Sequence, residues 1–132
     1  MVLLDTTFLS DVIRKKPQAM RALESMQEQG ERLSTSTINL AELYGGVFRL
    51  RDPAGHLESL ERIVEALILL DFDARAARTF GELDAYLAAQ GAVAPAKDLL
   101  IASAALSHGE HEVLTRNLKD FERVPGIHVR PY

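Results

Sequence analysis

The chain has 132 residues, 47% of them hydrophobic and 26% charged; that is enough apolar content for one folded core and too much for a disordered segment. Fifteen Lys and Arg against nineteen Asp and Glu leave a formal charge of −4, so no global positive field draws the chain onto nucleic acid and any such contact must be local. Cysteine is absent, which excludes disulfide scaffolds, thiolate nucleophiles and cysteine zinc sites and fits a reducing cytoplasm.

Val2-Leu3-Leu4 is an uninterrupted apolar run, the pattern of a strand buried on both faces of a parallel sheet, and Asp5-Thr6-Thr7 at its end offers a helix cap. The run meets Asp5 too soon to be an export signal. Phe8, Leu9, Val12 and Ile13 share one face at helical spacing, and Pro17 is expected to close that helix. A second amphipathic helix through Ala19, Met20, Leu23 and Met26 should stop near Gly30. Arg32-Leu33-Ser34-Thr35 is short and mixed, though a strand fits there. From Thr37 a helix carries Leu40, Leu43, Val47 and Leu50 on one face, with Glu42 beside that stripe and not opposite it.

Asp52-Pro53 is expected to supply a cap and a first-turn proline for a long helix through Leu57, Leu60, Ile63, Val64 and Leu67. A strand is placed within Leu67 to Phe72, and a helix over Ala76 to Gln90 with Gly91 as its terminator. Pro95-Ala96-Lys97-Asp98 opens a helix that is apolar almost all round through Leu106, which marks it as the buried central helix. Its apolar stretch is far shorter than the roughly 18–20 residues that span a bilayer, so a soluble protein is expected. Glu112-Val113-Leu114-Thr115 reads as a strand, Asn117 to Phe121 as a turn of helix, and Ile127-His128-Val129 as a last strand. Strands alternating with helices predict an α/β three-layer sandwich, a mostly parallel central sheet flanked by helices, as a single domain over residues 1–132.

In such a sheet ligands gather past the carboxyl ends of the strands. Asp5 ends the first strand, Thr115-Arg116-Asn117 leaves the penultimate one, and Asp98 heads the buried helix. Singly, Asp5 and Asp98 are explained as caps stabilised by free backbone amides. Glu42 lies within a helix beside the core, where a carboxylate is costly without a cation or donor; a boundary glutamate that reaches solvent or pairs with Arg49 is its ordinary explanation. Asp120, before Phe121, reads alone as a solvated charge. Together they form an oxygen-rich set without cysteine or clustered histidine, of the kind that suits Mg²⁺ or Mn²⁺ in phosphoryl chemistry.

Four segments carry a resemblance: Val2-Leu-Leu-Asp5-Thr-Thr, Ser36-Thr-Ile-Asn-Leu-Ala-Glu42-Leu-Tyr-Gly45, Asp98-Leu-Leu-Ile-Ala-Ser-Ala-Ala, and Leu114-Thr-Arg-Asn117-Leu-Lys-Asp120-Phe. In order and spacing they resemble the PIN-domain ribonucleases, and within them the VapC/FitB-like toxins of type II toxin–antitoxin systems. The resemblance spans the chain. It implies a toxic Mg²⁺-dependent endoribonuclease, with Mn²⁺ as the alternative ion, in which Asp5, Glu42 and Asp98 form the acidic core and hold metal. It further implies activation of a water for in-line attack on an RNA phosphodiester, in tRNA or rRNA, leaving a 5′-phosphate. Many PIN domains carry Asp two residues after the last motif's Thr. Here Asn117 stands at that position, so Asp120 is taken as the fourth carboxylate, with Asn117 as the other candidate. Thr6, Thr115 and Arg116 are supporting residues, Arg116 either meeting substrate phosphate or balancing the carboxylates. A VapB-like antitoxin, whose tail covers the site and whose other end carries any DNA contact, and a homodimer complete the implied assembly, in the cytoplasm and away from membranes.

Other constellations carry less. His108-Gly-Glu-His111 straddles a helix end and reads as two solvated histidines, not a zinc site. Arg14-Lys15-Lys16 with Arg21, and Arg49 with Arg51, are small basic patches that either track an RNA backbone or simply end helices. A non-catalytic PIN-like RNA- or protein-binding module is the alternative function. A receiver-like phosphoacceptor domain is a second alternative, but Asp5 lacks the acidic neighbour that fold wants at the end of strand one.

Overall fold

In the computed structural model, which describes residues 1–132, five short strands form one wholly parallel sheet. They are β1 (Val2–Leu4), β2 (Leu33–Ser36), β3 (Ile68–Leu70), β4 (Glu112–Leu114) and β5 (His128–Arg130), in the spatial order β3-β2-β1-β4-β5. The first strand is therefore central, with Leu3 opposite both Ser34 of β2 and Val113 of β4. The chain fills one half of the sheet, crosses back and fills the other, so the strand order reverses between β1 and β4. A crevice opens at such a point, at the carboxyl ends of the two strands.

Seven helices cover the faces: α1 (Thr6–Ile13), α2 (Pro17–Glu28), α3 (Thr37–Phe48), α4 (Ala54–Glu65), α5 (Ala74–Ala89), α6 (Ala96–Ser107) and α7 (Leu118–Glu122). Alternation along β1 splits the interior in two. Val2 and Leu4 pack with Phe8, Leu9, Leu43 and Leu60 on the α1–α4 side, while Leu3 packs with Leu99, Ile101, Ala102 and Phe121 on the α5–α7 side. This is the expected three-layer α/β architecture. The apolar helix through Leu106 is α6, with Leu99 and Ile101 to Ala105 buried.

β2 is polar and yet wholly buried. The Ser34 hydroxyl donates to the Val2 carbonyl at 3.1 Å and the Thr35 hydroxyl to the Leu4 carbonyl at 2.9 Å, which offsets the cost of taking them out of water. Some local expectations are corrected. Pro17 opens α2 at its first turn instead of closing α1; its fixed φ and missing N–H suit that position, and the chain reverses before it through Lys15 at φ 55°. Pro53, not Asp52, occupies the N-cap position of α4, without a side-chain cap. Leu50 lies beyond α3 and is 43% exposed, so it is not part of the core stripe.

Candidate active site

Asp5 follows the last residue of β1 and faces the crevice. It occupies the N-cap position of α1 but makes no capping bond with its side chain. It is 2% exposed, and its carboxylate is held by donors from three segments. The Asn39 amide donates to Oδ1 at 2.9 Å, the Thr115 hydroxyl to Oδ2 at 2.7 Å, and the Thr7 hydroxyl to Oδ2 at 3.3 Å. None of the three is charged, so the negative charge is fixed in place without being neutralised. The ordinary reading of Asp5 as a cap is thus excluded by geometry.

Asn39 is the residue that sequence reasoning missed. It is fully buried in the first turn of α3, where Ser36 and Asn39 cap each other's backbone amides. The Asn39 oxygen accepts from the Ser36 hydroxyl at 2.6 Å and from the Ser36 N–H at 3.2 Å, and its amide nitrogen donates to both Asp5 and Thr6, the latter at 3.0 Å. The visible signal was the Ser-x-x-Asn spacing of a capping box. Thr6 passes the bond on, donating to Glu42 Oε1 at 3.0 Å. One chain of hydrogen bonds therefore runs from Ser36 through Asn39 to Asp5 on one branch and through Thr6 to Glu42 on the other. The cation beside Glu42 is not Arg49 but Lys97, with Nζ 3.7 Å from Oε2, an exposed pair worth little by itself.

Asp98 sits in the first turn of α6 and Asp120 in the first turn of α7. Burial, then the charges of Asp5, Asp120 and Glu42, raise the Asp98 carboxyl from 3.8 to about 7, and a hydrogen bond to Asp120 adds to the effect. Helix N-termini ordinarily favour the charged form of an acid. Here repulsion and desolvation win, which means that the four acids named from the sequence share one electrostatic neighbourhood. Thr115 is buried beneath them. Asn117 keeps its side chain out of any capping bond while its N–H donates to Thr115 at 2.9 Å.

Arg116 does not balance the four acids as one of its two expected roles required. Its guanidinium lies 3.5 Å from Asp11, not at the acidic cluster. Asp11 is a second buried carboxylate, held also by the Tyr132 hydroxyl at 2.6 Å and by Lys16 at 3.2 Å. Burial raises the Asp11 pKa, but the bonds from Tyr132 and Lys16 and the charge of Arg116 outweigh it and hold the group below its usual value. Burial and the bond to Asp11 push the Tyr132 phenol well above its usual range. His108 and His111 are exposed and each bonds a backbone carbonyl, of Ala104 at 2.8 Å and Gly126 at 3.0 Å.

No three Asp, Glu or His side chains stand close enough to a common point to chelate an ion as they are. The donor chemistry nevertheless fits a hard divalent cation. All four acids offer oxygen, Asp5 spends only part of its lone-pair capacity on its three donors, and the repulsion recorded at Asp98 is what a cation between the carboxylates would relieve. Asp5, Glu42, Asp98 and Asp120 are the residues that could hold it.

A five-stranded parallel sheet with acidic residues gathered at its switch point is the arrangement of a PIN domain. The PIN domain family model matches residues 2–127, and the chain belongs to that family. Its relatives are VapC-type ribonucleases. It is 35% identical over 130 residues, 98% of this chain and 96% of the relative, to the tRNA(fMet)-specific endonuclease VapC of Salmonella typhimurium. It is 31% identical over 92% of its length to ribonuclease VapC2 of Haemophilus influenzae, 90% of which is covered. Among solved structures, VapBC2 from Rickettsia felis bound to a fragment of its promoter DNA superposes with a TM-score of 0.88 at 29% identity, covering 100% of this chain and 99% of the other.

Proposed function

We propose that this protein is a Mg²⁺-dependent endoribonuclease, with Mn²⁺ as an effective substitute, and the toxin of a toxin–antitoxin pair, cutting tRNA or rRNA to leave 5′-phosphate ends. The observation that carries the reading is that burial, together with the charges of Asp5, Asp120 and Glu42 from three other segments, raises the Asp98 carboxyl to about 7. A divalent ion bound there supplies charge neutralisation at phosphate and lowers the pKa of attacking water. Asp5 is the fixed ligand, because its three donors leave it no freedom to swing. Thr6 sets the direction of Glu42. Asp98 has to release a proton to act as a ligand, so its affinity for a cation rises with pH through about 7. Asp120 accepts the hydrogen bond of protonated Asp98 in the absence of metal and is the fourth candidate ligand.

The partner is a VapB-like antitoxin, as in the complexes of the structural relatives. An apolar cleft of about 320 Å³ among α1, α2 and α4, lined by Leu9, Val12, Met20, Leu23, Ile63 and Leu67, supports this by offering a surface for such a chain. Any promoter contact belongs to the antitoxin in this proposal. No helix is long and apolar enough to cross a membrane, and a homodimer acting in the cytoplasm completes the proposal.

The test is cleavage of total RNA by the purified protein with Mg²⁺ or Mn²⁺, against EDTA and Asp98→Asn controls, with the product ends mapped. Discrete cuts bearing 5′-phosphates that both controls abolish are expected. Absence of cutting, or cutting that survives the controls, overturns the reading in favour of a binding module.

A further inference from the structure

Four carboxylates repel the polyanion they are proposed to cut, so the strand must be held by something else. Beside Glu42 an open groove of about 500 Å³ runs between α1 and α3, walled by Arg14, Arg49 and Lys97 and floored by Gly45 and Gly46. Neither Arg14 nor Arg49 has a carboxylate within 4.0 Å. Only two of its ten lining residues are hydrophobic, and its three cations face one carboxylate, Glu42. That lining complements a phosphate backbone and not an apolar peptide.

The two glycines are the second observation. They stand side by side in the interior of α3, where glycine is a poor helix former, and the chain's own packing does not require them. A Cβ at Gly46 would meet no heavy atom within 4 Å, and one at Gly45 would meet only the Arg49 guanidinium at 3.8 Å. Bare backbone along a groove permits close approach by another backbone.

We infer that this groove seats the RNA strand next to the scissile phosphate, Arg14 and Arg49 contacting phosphates that flank it and Gly45-Gly46 admitting the sugar–phosphate chain against α3. The inference rests on the nuclease reading and adds where the substrate lies. Lys97, 3.7 Å from Glu42, stands where the groove meets the acidic cluster.

Two measurements test it. The first is binding of a short fluorescein-labelled single-stranded RNA by the full chain in EDTA across a range of salt, and the second is KM and kcat on total RNA with Mg²⁺. Arg14→Gln and Arg49→Gln should each flatten the slope of log affinity against log salt by about 0.7, the double variant by about 1.4, raising KM with kcat held. Gly46→Leu should weaken binding and raise KM by narrowing the groove, without lowering the melting temperature, since its Cβ would meet no heavy atom within 4 Å. Arg75→Gln, at an exposed position of α5, serves as the control and should change neither quantity. If the wild type cuts RNA but these variants bind and cut as it does, the groove assignment is wrong and the nuclease reading stands. If the wild type neither binds nor cuts RNA, both readings fall.

Discussion

Replacing Asp98 with Asn should stabilise the metal-free protein, and only toward alkaline pH. Burial and the charges of Asp5, Asp120 and Glu42 raise this carboxyl from 3.8 to about 7. Because the folded value is the higher one, the folded chain binds an extra proton between the two. The stabilising contribution of that proton is complete below about pH 4 and is lost as pH rises through about 7. The gap corresponds to roughly 4 kcal/mol, and water at the partly exposed carboxyl screens it to about 2 kcal/mol. With about 2.1 cal/mol/K of unfolding entropy per residue, a chain of 132 residues should shift its melting temperature by about 7 °C. Thermal melts followed by circular dichroism in EDTA, from about pH 4 to about pH 8, measure this. Asp98→Asn should melt above the wild type at the alkaline end and converge with it at the acid end, and added Mg²⁺ should raise only the wild type. A variant that melts below the wild type near pH 8, or a difference that does not vary with pH, would refute the argument, since Asp98 would then contribute bonding and not repulsion.

Asn39→Ala removes the donor 2.9 Å from buried Asp5, and an orphaned buried acceptor costs about 1–3 kcal/mol; urea denaturation should show that loss, and RNA cleavage should fall because Asp5 is no longer fixed. Tyr132→Phe deletes the 2.6 Å bond to Asp11 while keeping the edge-on contact with Phe8 at 4.7 Å, so a loss of about 1–2 kcal/mol is expected in the same assay with the denaturant slope unchanged. Leu60 is the one fully buried anchor of α4, and Leu60→Ala should cost about 2–5 kcal/mol, visible as a lower urea midpoint.

The sequence carried the element order because most elements announce themselves by one-sided apolar spacing. It did not carry β2 with certainty, since Ser34, Thr35 and Ser36 look like a turn and become a buried strand only through hydroxyl bonds to β1 carbonyls, which are long-range and leave no local pattern. Pro17 was ambiguous for a similar reason, because proline both stops one helix and starts another, and only Lys15 in the left-handed region decides between them. The four acids were legible by motif, but their support was not. Asn39 looks like an ordinary first-turn residue of a helix, and its contact with Asp5 spans 34 positions. Arg116 sits next to a buried site residue in sequence and is turned away by Asp11, whose own partner Tyr132 lies 121 residues further on.

The central place of β1 has a temporal consequence. β1 finds one of its two neighbours only when residues 112–114 have been made, and Asp5 receives its shortest hydrogen bond from Thr115, 110 positions downstream. Contacts so distant in sequence form late, after their loop-closure entropy has been met. A nascent chain thus carries Asp5, Glu42 and Asp98 in an unassembled state until β4 and Thr115 have been made, and the acidic cluster is held together only from that point. For an enzyme proposed to destroy the RNAs that translate it, this order of assembly delays the hazard until the last segment of the site has been made.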